Sequence, residues 1–179
     1  MPRLFVAIDL PDDIKKRIEE LCAFGMPGIK WVDPNQYHLS LGFIGEVDFD
    51  QQNSISIALS KIKNKSFNLG LGGMGLFPDN KSPRVIWVGV NKSEELSTLK
   101  MKVEFQLSQI GILKEKKRFR PHITTGRVKS NKIKRIGDYI VHYDLFRTDP
   151  FEIKEFSLFQ SRLTPEGAIY TKASTYHLD

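Results

Sequence analysis

Two tetrapeptides, His38-Leu39-Ser40-Leu41 and His122-Ile123-Thr124-Thr125, share one pattern: histidine, apolar residue, hydroxyl residue. Side chains on a strand alternate between faces, so each histidine and its hydroxyl partner point the same way, about 7 Å apart along the chain. Two such strands laid side by side would gather two imidazoles and two hydroxyls around one point. Phosphodiester cleavage needs such a set: a base for the nucleophile's proton, an acid for the leaving oxygen, and donors for the phosphoryl oxygens. Histidine serves both proton roles near neutrality because its ordinary pKa is about 6.5. His38 and His122 are therefore the candidate acid and base, and Ser40 and Thr124 the candidate phosphate donors. A lone strand histidine is more often structural, so a non-catalytic RNA or nucleotide-binding module stands as the alternative reading. A metal-dependent hydrolase is weaker, since two histidines without paired carboxylates make a poor metal site. His142 and His177 lack the hydroxyl two residues on and are set aside as structural or surface residues.

Strict alternation puts Tyr37, Leu39, Leu41 and Phe43 on a core face and leaves Gln36, His38, Ser40 and Gly42 to line a cleft. By the same parity Arg120 and Gly126 fall on the cleft side with His122. Arg127 falls on the other side, unless a bulge near Gly126 brings it in. Trp31, Tyr37 and Phe43 are the aromatics available to stack a base, though Tyr37 and Phe43 read first as core.

The elements that must carry these residues follow from pattern. LFVAI within 3–9 reads as a buried strand, followed by a helix with Ile14, Ile18, Leu21 and Cys22 on one face, capped by Asp12 or Asp13 and closed by Gly25. Strands are expected at 29–32 and 37–44, a helix at 50–63, and strands at 67–71 and 84–90. The segment GGMGLFPDNKSP between the last two reads as a glycine-rich loop; it lacks the Gly-Lys-Ser/Thr of a phosphate-binding loop. Ser93 caps a helix striped by Leu96, Leu99, Val103, Leu107 and Ile110. A strand at 118–127, a short helix at 130–139 and a long strand at 151–163 follow. The Thr164-Pro165-Glu166-Gly167 turn then leads into a last strand at 169–177. Strands returning as hairpins around a few helices give an α+β class with antiparallel sheets.

Composition bounds the rest. A chain of 179 residues with 40% apolar and 27% charged content reads as one globular domain, neither disordered nor fibrous. With Cys22 its one cysteine, it forms no internal disulfide and no thiolate zinc cluster. No run is long and apolar enough for a membrane span, and Asp9, Asp12 and Asp13 interrupt any signal-type region, so a cytoplasmic protein is expected. Residues 114–135 hold ten Lys and Arg against one Glu, a local +9 in a chain of net +6. Such a stretch suits an RNA backbone, with salt-dependent affinity and little reading of sequence.

With these residues in place, the chain resembles the two-histidine phosphoesterase superfamily and, within it, the RNA 2',3'-cyclic phosphodiesterases, also called 2'-5' RNA ligases. The resemblance rests on HLSL and HITT and on their flanks: RLFVAIDLP, KWVDPNQYHLSLGFIGEV, GLFPDNKSPRVIWVGV and RFRPHITTGRVK, in order along nearly the whole chain. It implies a bilobal α+β fold, 1–179, of two antiparallel sheets with flanking helices and pseudo-two-fold symmetry about a central cleft. It implies no cofactor and no metal. It also implies hydrolysis of an RNA 2',3'-cyclic phosphate end to a 2'-phosphomonoester, with His122 activating water, His38 protonating the 3' oxygen, and Ser40, Thr124 and Arg127 holding the phosphate. Near symmetry leaves the reverse acid and base assignment open. The reverse reaction would join such an end to a 5'-hydroxyl through a 2'-5' linkage. The expected partner is RNA, with no membrane, no obligate protein partner and a monomeric state. Three positions depart from the family pattern: Ser40 for the commoner Thr, Gly42 for a frequent Lys, and Thr125 for the usual Leu. Ser40 keeps the donor hydroxyl but loses the β-branch that stiffens its rotamer, and neither Gly42 nor Thr125 is among the proposed acid, base or donors.

Overall fold

A computed structural model describes residues 1–179 apart from 24, 113–117, 130–132, 134 and 166. The opening apolar run forms β1 (Arg3–Asp9), and Pro11 ends it and starts α1 (Asp12–Cys22). Asp12 and Asp13 sit in the first turn, where their charge meets the helix dipole, but neither side chain caps it as expected, because Pro11 holds the cap position. β2 (Ile29–Trp31) leads to a 3-10 turn over Pro34–Gln36, whose Asn35 amide donates to the Asp33 carboxylate. β3 (His38–Glu46) follows. A capping box of Asp48 and Gln51 opens α2 (Phe49–Ser60).

β4 (Phe67–Leu69) and β5 (Leu71–Phe77) come next, so the expected glycine-rich loop is strand as far as Phe77. Two of its glycines have separate reasons: a Cβ at Gly75 would collide with the Trp87 indole, and Gly73 takes a left-handed φ of +70°. β6 (Val85–Val90) precedes α3 (Glu94–Gln109), which Ser93 caps and which buries Leu96, Leu99, Val103 and Leu107. β7 (His122–Val128) starts at the histidine, not at Arg118. α4 (Ile136–His142) starts later and ends later than the helix expected at 130–139; Ile133 and Arg135 are outside it, and 130–132 and 134 lie outside the described residues. The long strand expected from Phe151 breaks at Lys154 into β8 (Phe151–Ile153) and β9 (Glu155–Thr164), and β10 (Gly167–His177) closes the chain.

β8 pairs with β4 in a small sheet of its own. The other strands run antiparallel in the order β10-β9-β1-β3-β7-β6-β5, with β2 also on β7. The lobes expected as separate sheets are the two halves of this sheet, joined between β3 and β7 by the single pair Leu39 and Ile123. One apolar cluster covers one face across both lobes: Val6, Leu39, Val88 and Ile123 from the strands, Ile18, Leu99 and Val103 from the helices. On the opposite face of the first lobe a second, small cluster gathers Phe5, Ala7 and Phe159 beneath Tyr170. Among the described residues no helix is long and apolar enough to cross a membrane.

Candidate active site

The Leu39–Ile123 pair is the hinge of the site. Both side chains are fully buried on the helix side, so His38 and Ser40 on β3 and His122 and Thr124 on β7 turn to the other face around that bridge. Each imidazole is anchored alike. His38 Nδ1 lies 2.7 Å from the Gln36 carbonyl oxygen, and His122 Nδ1 lies 2.6 Å from that of Arg120. A carbonyl only accepts, so Nδ1 carries the proton in both rings and each Nε2 is left for chemistry. The Gln36 side chain, expected at the cleft, donates to the Ala168 carbonyl at 2.6 Å and ties the β9–β10 hairpin to the histidine strand.

Beyond the hydroxyls, parity breaks, and it breaks identically in both lobes. Ala7 pairs with Ser40 and Val6 with Gly42, so Leu41 is an extra residue in β3. Trp87 pairs with Thr124 and Ile86 with Gly126, so Thr125 is the extra residue in β7. Each bulge turns the next two residues over. Gly42 and Gly126, expected in the cleft, instead back onto the core: Gly42 faces Val103 and Leu107, and Gly126 faces Ile29 and Trp31. Phe43, read first as core, is 57% exposed on the cleft side, and Arg127 is brought to the same face by the bulge it needed. Thr125 is buried, its hydroxyl donating to the Ile86 carbonyl at 3.3 Å. Trp31, a stacking candidate, is on the core side of β7 with its ring 5.8 Å from Tyr139.

Phe43 and Arg127 thus hold matching places, and their rows make the lobes chemically unequal. In the first lobe Phe43, Phe5 and Phe159 pair across β3, β1 and β9, with ring centroids 6.2 Å and 5.3 Å apart and Tyr170 edge-on to Phe5 at 5.0 Å. In the second lobe the row is Lys30, Arg127 and Val85. His38 nestles against Phe5 and Tyr170, at 5.0 and 5.2 Å, and His122 against Phe77, at 4.8 Å edge-on. Arg120 lies over the Phe77 ring at 5.2 Å, beside His122 as expected. Sequence reasoning missed Phe5, Phe77, Trp87 and Tyr170, because an apolar strand residue carries no mark of which face it joins until the register is known.

Burial pushes both imidazoles below the ordinary histidine range. At His38 the Gln36 carbonyl and the Asp9 carboxylate oppose that push, while His122 and Arg127 add to it. At His122 the Arg120 carbonyl opposes it and the Arg120 guanidinium adds to it. Both rings are therefore neutral in the larger part at neutral pH. Of the basic stretch, Arg118, Arg120, Arg127, Lys129 and Arg135 are exposed, while Lys114, Lys116, Lys117, Lys132 and Lys134 lie outside the described residues. Among the described residues no group of three or more His, Cys, Asp or Glu is placed to hold a metal.

The LigT-like phosphoesterase family model matches the chain twice in tandem, over residues 8–87 and 88–170. An RNA 2',3'-cyclic phosphodiesterase of Archaeoglobus fulgidus is 36% identical over 170 residues, covering 94% of this chain and 96% of its own. One from Methanocaldococcus jannaschii is 37% identical over 174 residues, covering 94% and 96%. The solved structure of E. coli LigT with 3'-AMP superimposes with a TM-score of 0.81 at 27% identity, covering 99% of both chains. Each match holds one histidine strand with its bulge, β3 in the first and β7 in the second.

Proposed function

The chain belongs to the LigT-like phosphoesterase family, and from that premise we propose that it hydrolyses RNA 2',3'-cyclic phosphate ends to 2'-phosphomonoesters with His38 as acid and His122 as base. The observation that carries this reading is the pair of imidazoles flanking one bridge, each fixed through Nδ1 with a hydroxyl two residues on.

In the step itself, His122 Nε2 takes a proton from water as its oxygen attacks phosphorus. The bond to the 3' oxygen breaks, and His38, in its doubly protonated form, delivers the Nε2 proton to that oxygen and keeps the one on Nδ1. A 2'-phosphate and a 3'-hydroxyl remain, and the pair ends in swapped protonation states. Ser40 and Thr124 donate to the phosphoryl oxygens, and Arg127 adds positive charge. The unequal lobes support this assignment over its reverse. A base laid on Phe43 and Tyr170 puts the ribose on the His38 side, so the leaving oxygen meets His38 and water enters beside His122. Lys30 and Arg127 suit phosphate rather than base. The reverse step joins the cyclic end to a 5'-hydroxyl in a 2'-5' linkage. We take residues 1–179 as one two-lobed domain whose site is complete in one chain, since both histidines come from it, and carry forward the cytoplasmic, monomeric reading with that site. A binding module is not favoured, since recognition alone gives no reason to fix both rings in the same tautomer.

The test is incubation, with chelator present, of a short RNA ending in a 2',3'-cyclic phosphate. A 2'-phosphate product is expected, with turnover about 10²–10⁴-fold lower in His38→Ala and in His122→Ala. Turnover surviving in either variant overturns the assignment, and a 3'-phosphate product reverses which ring bond breaks.

A further inference from the structure

The lobes repeat their histidine strands, yet the residues across from the two histidines differ. Asp9 on β1 pairs directly with His38, whereas Gly89 on β6 pairs with His122. Directly paired residues of an antiparallel ladder share a face, with Cβ atoms about 4.5–5.5 Å apart. The Asp9 carboxylate is held firmly: Oδ1 lies 2.7 Å from Lys15 Nζ and accepts from the Leu10 amide at 2.9 Å, and Oδ2 lies 2.9 Å from Lys172 Nζ. Lys172 in turn reaches Glu155 at 3.5 Å.

Resting on the reading of His38 as the acid, we infer that Asp9 is a positioning residue whose field raises the protonated share of His38, while the glycine at the matching place gives His122, the base, no such support. The need is physical. His38 is packed among Phe5, Phe159 and Tyr170, surroundings that resist a charged ring, and from β7 it is faced by His122 and Arg127, which resist it further. Against these stand the Gln36 carbonyl and the Asp9 carboxylate. Nδ1 is already committed to Gln36, so Asp9 acts through its field. Although burial pushes Asp9 itself up, Lys15 and Lys172 outweigh that and hold its carboxyl below the usual carboxylate value, so it carries its charge at neutral pH. The same lysines temper its field, which makes Lys172 a handle of opposite sign.

The experiment is an NMR titration of the histidine Cε1 protons in the ligand-free protein, assigned with His38→Gln, alongside the pH dependence of kcat on the cyclic-phosphate RNA. In Asp9→Asn the His38 midpoint is expected to fall by about half a unit to one unit, and the alkaline limb of kcat to move with it. At neutral pH kcat then drops about 3- to 10-fold, recovers at lower pH, and KM holds within about twofold. In Lys172→Met the His38 midpoint and the limb move up, and in both variants His122 stays in place. A His38 midpoint unmoved in Asp9→Asn, or moving equally with His122, overturns the inference. So does a downward shift in Lys172→Met, which also carries the test if Asp9→Asn folds poorly. Shifts as expected in a protein that turns over no cyclic phosphate uphold the field of Asp9 and overturn the reaction assigned to it.

Discussion

Gly42→Ala separates the bulged register of β3 from a plain alternating one. With the bulge at Leu41, a Cβ on residue 42 points to the helices and meets Leu107 Cδ1 and Val103 Cγ1 at 3.9 Å, an ordinary contact that needs no adjustment. The added methyl is then buried, worth about 0.8 kcal/mol. Removing a glycine from the unfolded chain adds about 0.4–1 kcal/mol. Together about 1.2–1.8 kcal/mol of stabilisation is expected, or about 2–7 °C in Tm for a domain of this size. Activity is unchanged, because nothing is added to the cleft. The matching glycine behaves oppositely. A Cβ at Gly126 lies 3.0 Å from Ile29 Cγ2 and from Trp31 Cε3, so Gly126→Ala overpacks the β2–β7 contact at a cost of about 1–3 kcal/mol and displaces Arg127. Thermal unfolding and kcat/KM on the cyclic-phosphate RNA read both variants. If Gly42→Ala leaves Tm where it was and lowers kcat/KM tenfold, the residue faces the cleft, and the reasoning that put Phe43 and Arg127 there is refuted.

Two other expectations follow from the same geometry. Phe43→Ala removes the exposed member of the aromatic row, so kcat/KM is expected to fall about 5- to 150-fold, the span of one base–aromatic stack, with Tm lowered by about 1–6 °C through loss of the Phe5 ring contact. A cyclic phosphate carrying no base, turned over equally by both proteins, is the control; equal loss on it refutes the stacking role. The second concerns acid. Both imidazoles titrate below their unfolded value of about 6.5, so the unfolded chain binds more protons there. Their contribution is present above pH 6.5 and lost as pH falls from there through the folded values. Urea unfolding at pH 7.5 and 5.5 should show that loss, reduced in a variant with both histidines replaced by Gln; an equal slope in the two proteins rules it out.

The chain by itself determined the elements and the chemical inventory. Period-2 and helical spacing, Ser93 and the Thr164–Gly167 turn placed most strands and helices within a few residues, because local burial patterns and caps act over short stretches. The repeated His-apolar-hydroxyl pattern named the four polar residues of the site, since a strand obliges such pairs to share a face. What the sequence left undecided turned on contacts between distant strands. Gly72–Phe77 looked like a loop because glycines weaken a strand on their own, yet the Trp87 ring leaves no room for a side chain at Gly75 and Gly73 takes a left-handed φ. Gly42, Phe43, Gly126 and Arg127 changed faces because one extra residue in each histidine strand is absorbed against a neighbour, and alternation within a strand carries no record of that neighbour. For the same reason Asp9 and Gly89, far from the histidines in sequence, come to lie across from them and make the two repeated halves chemically unequal: register is set by the packing of the whole sheet.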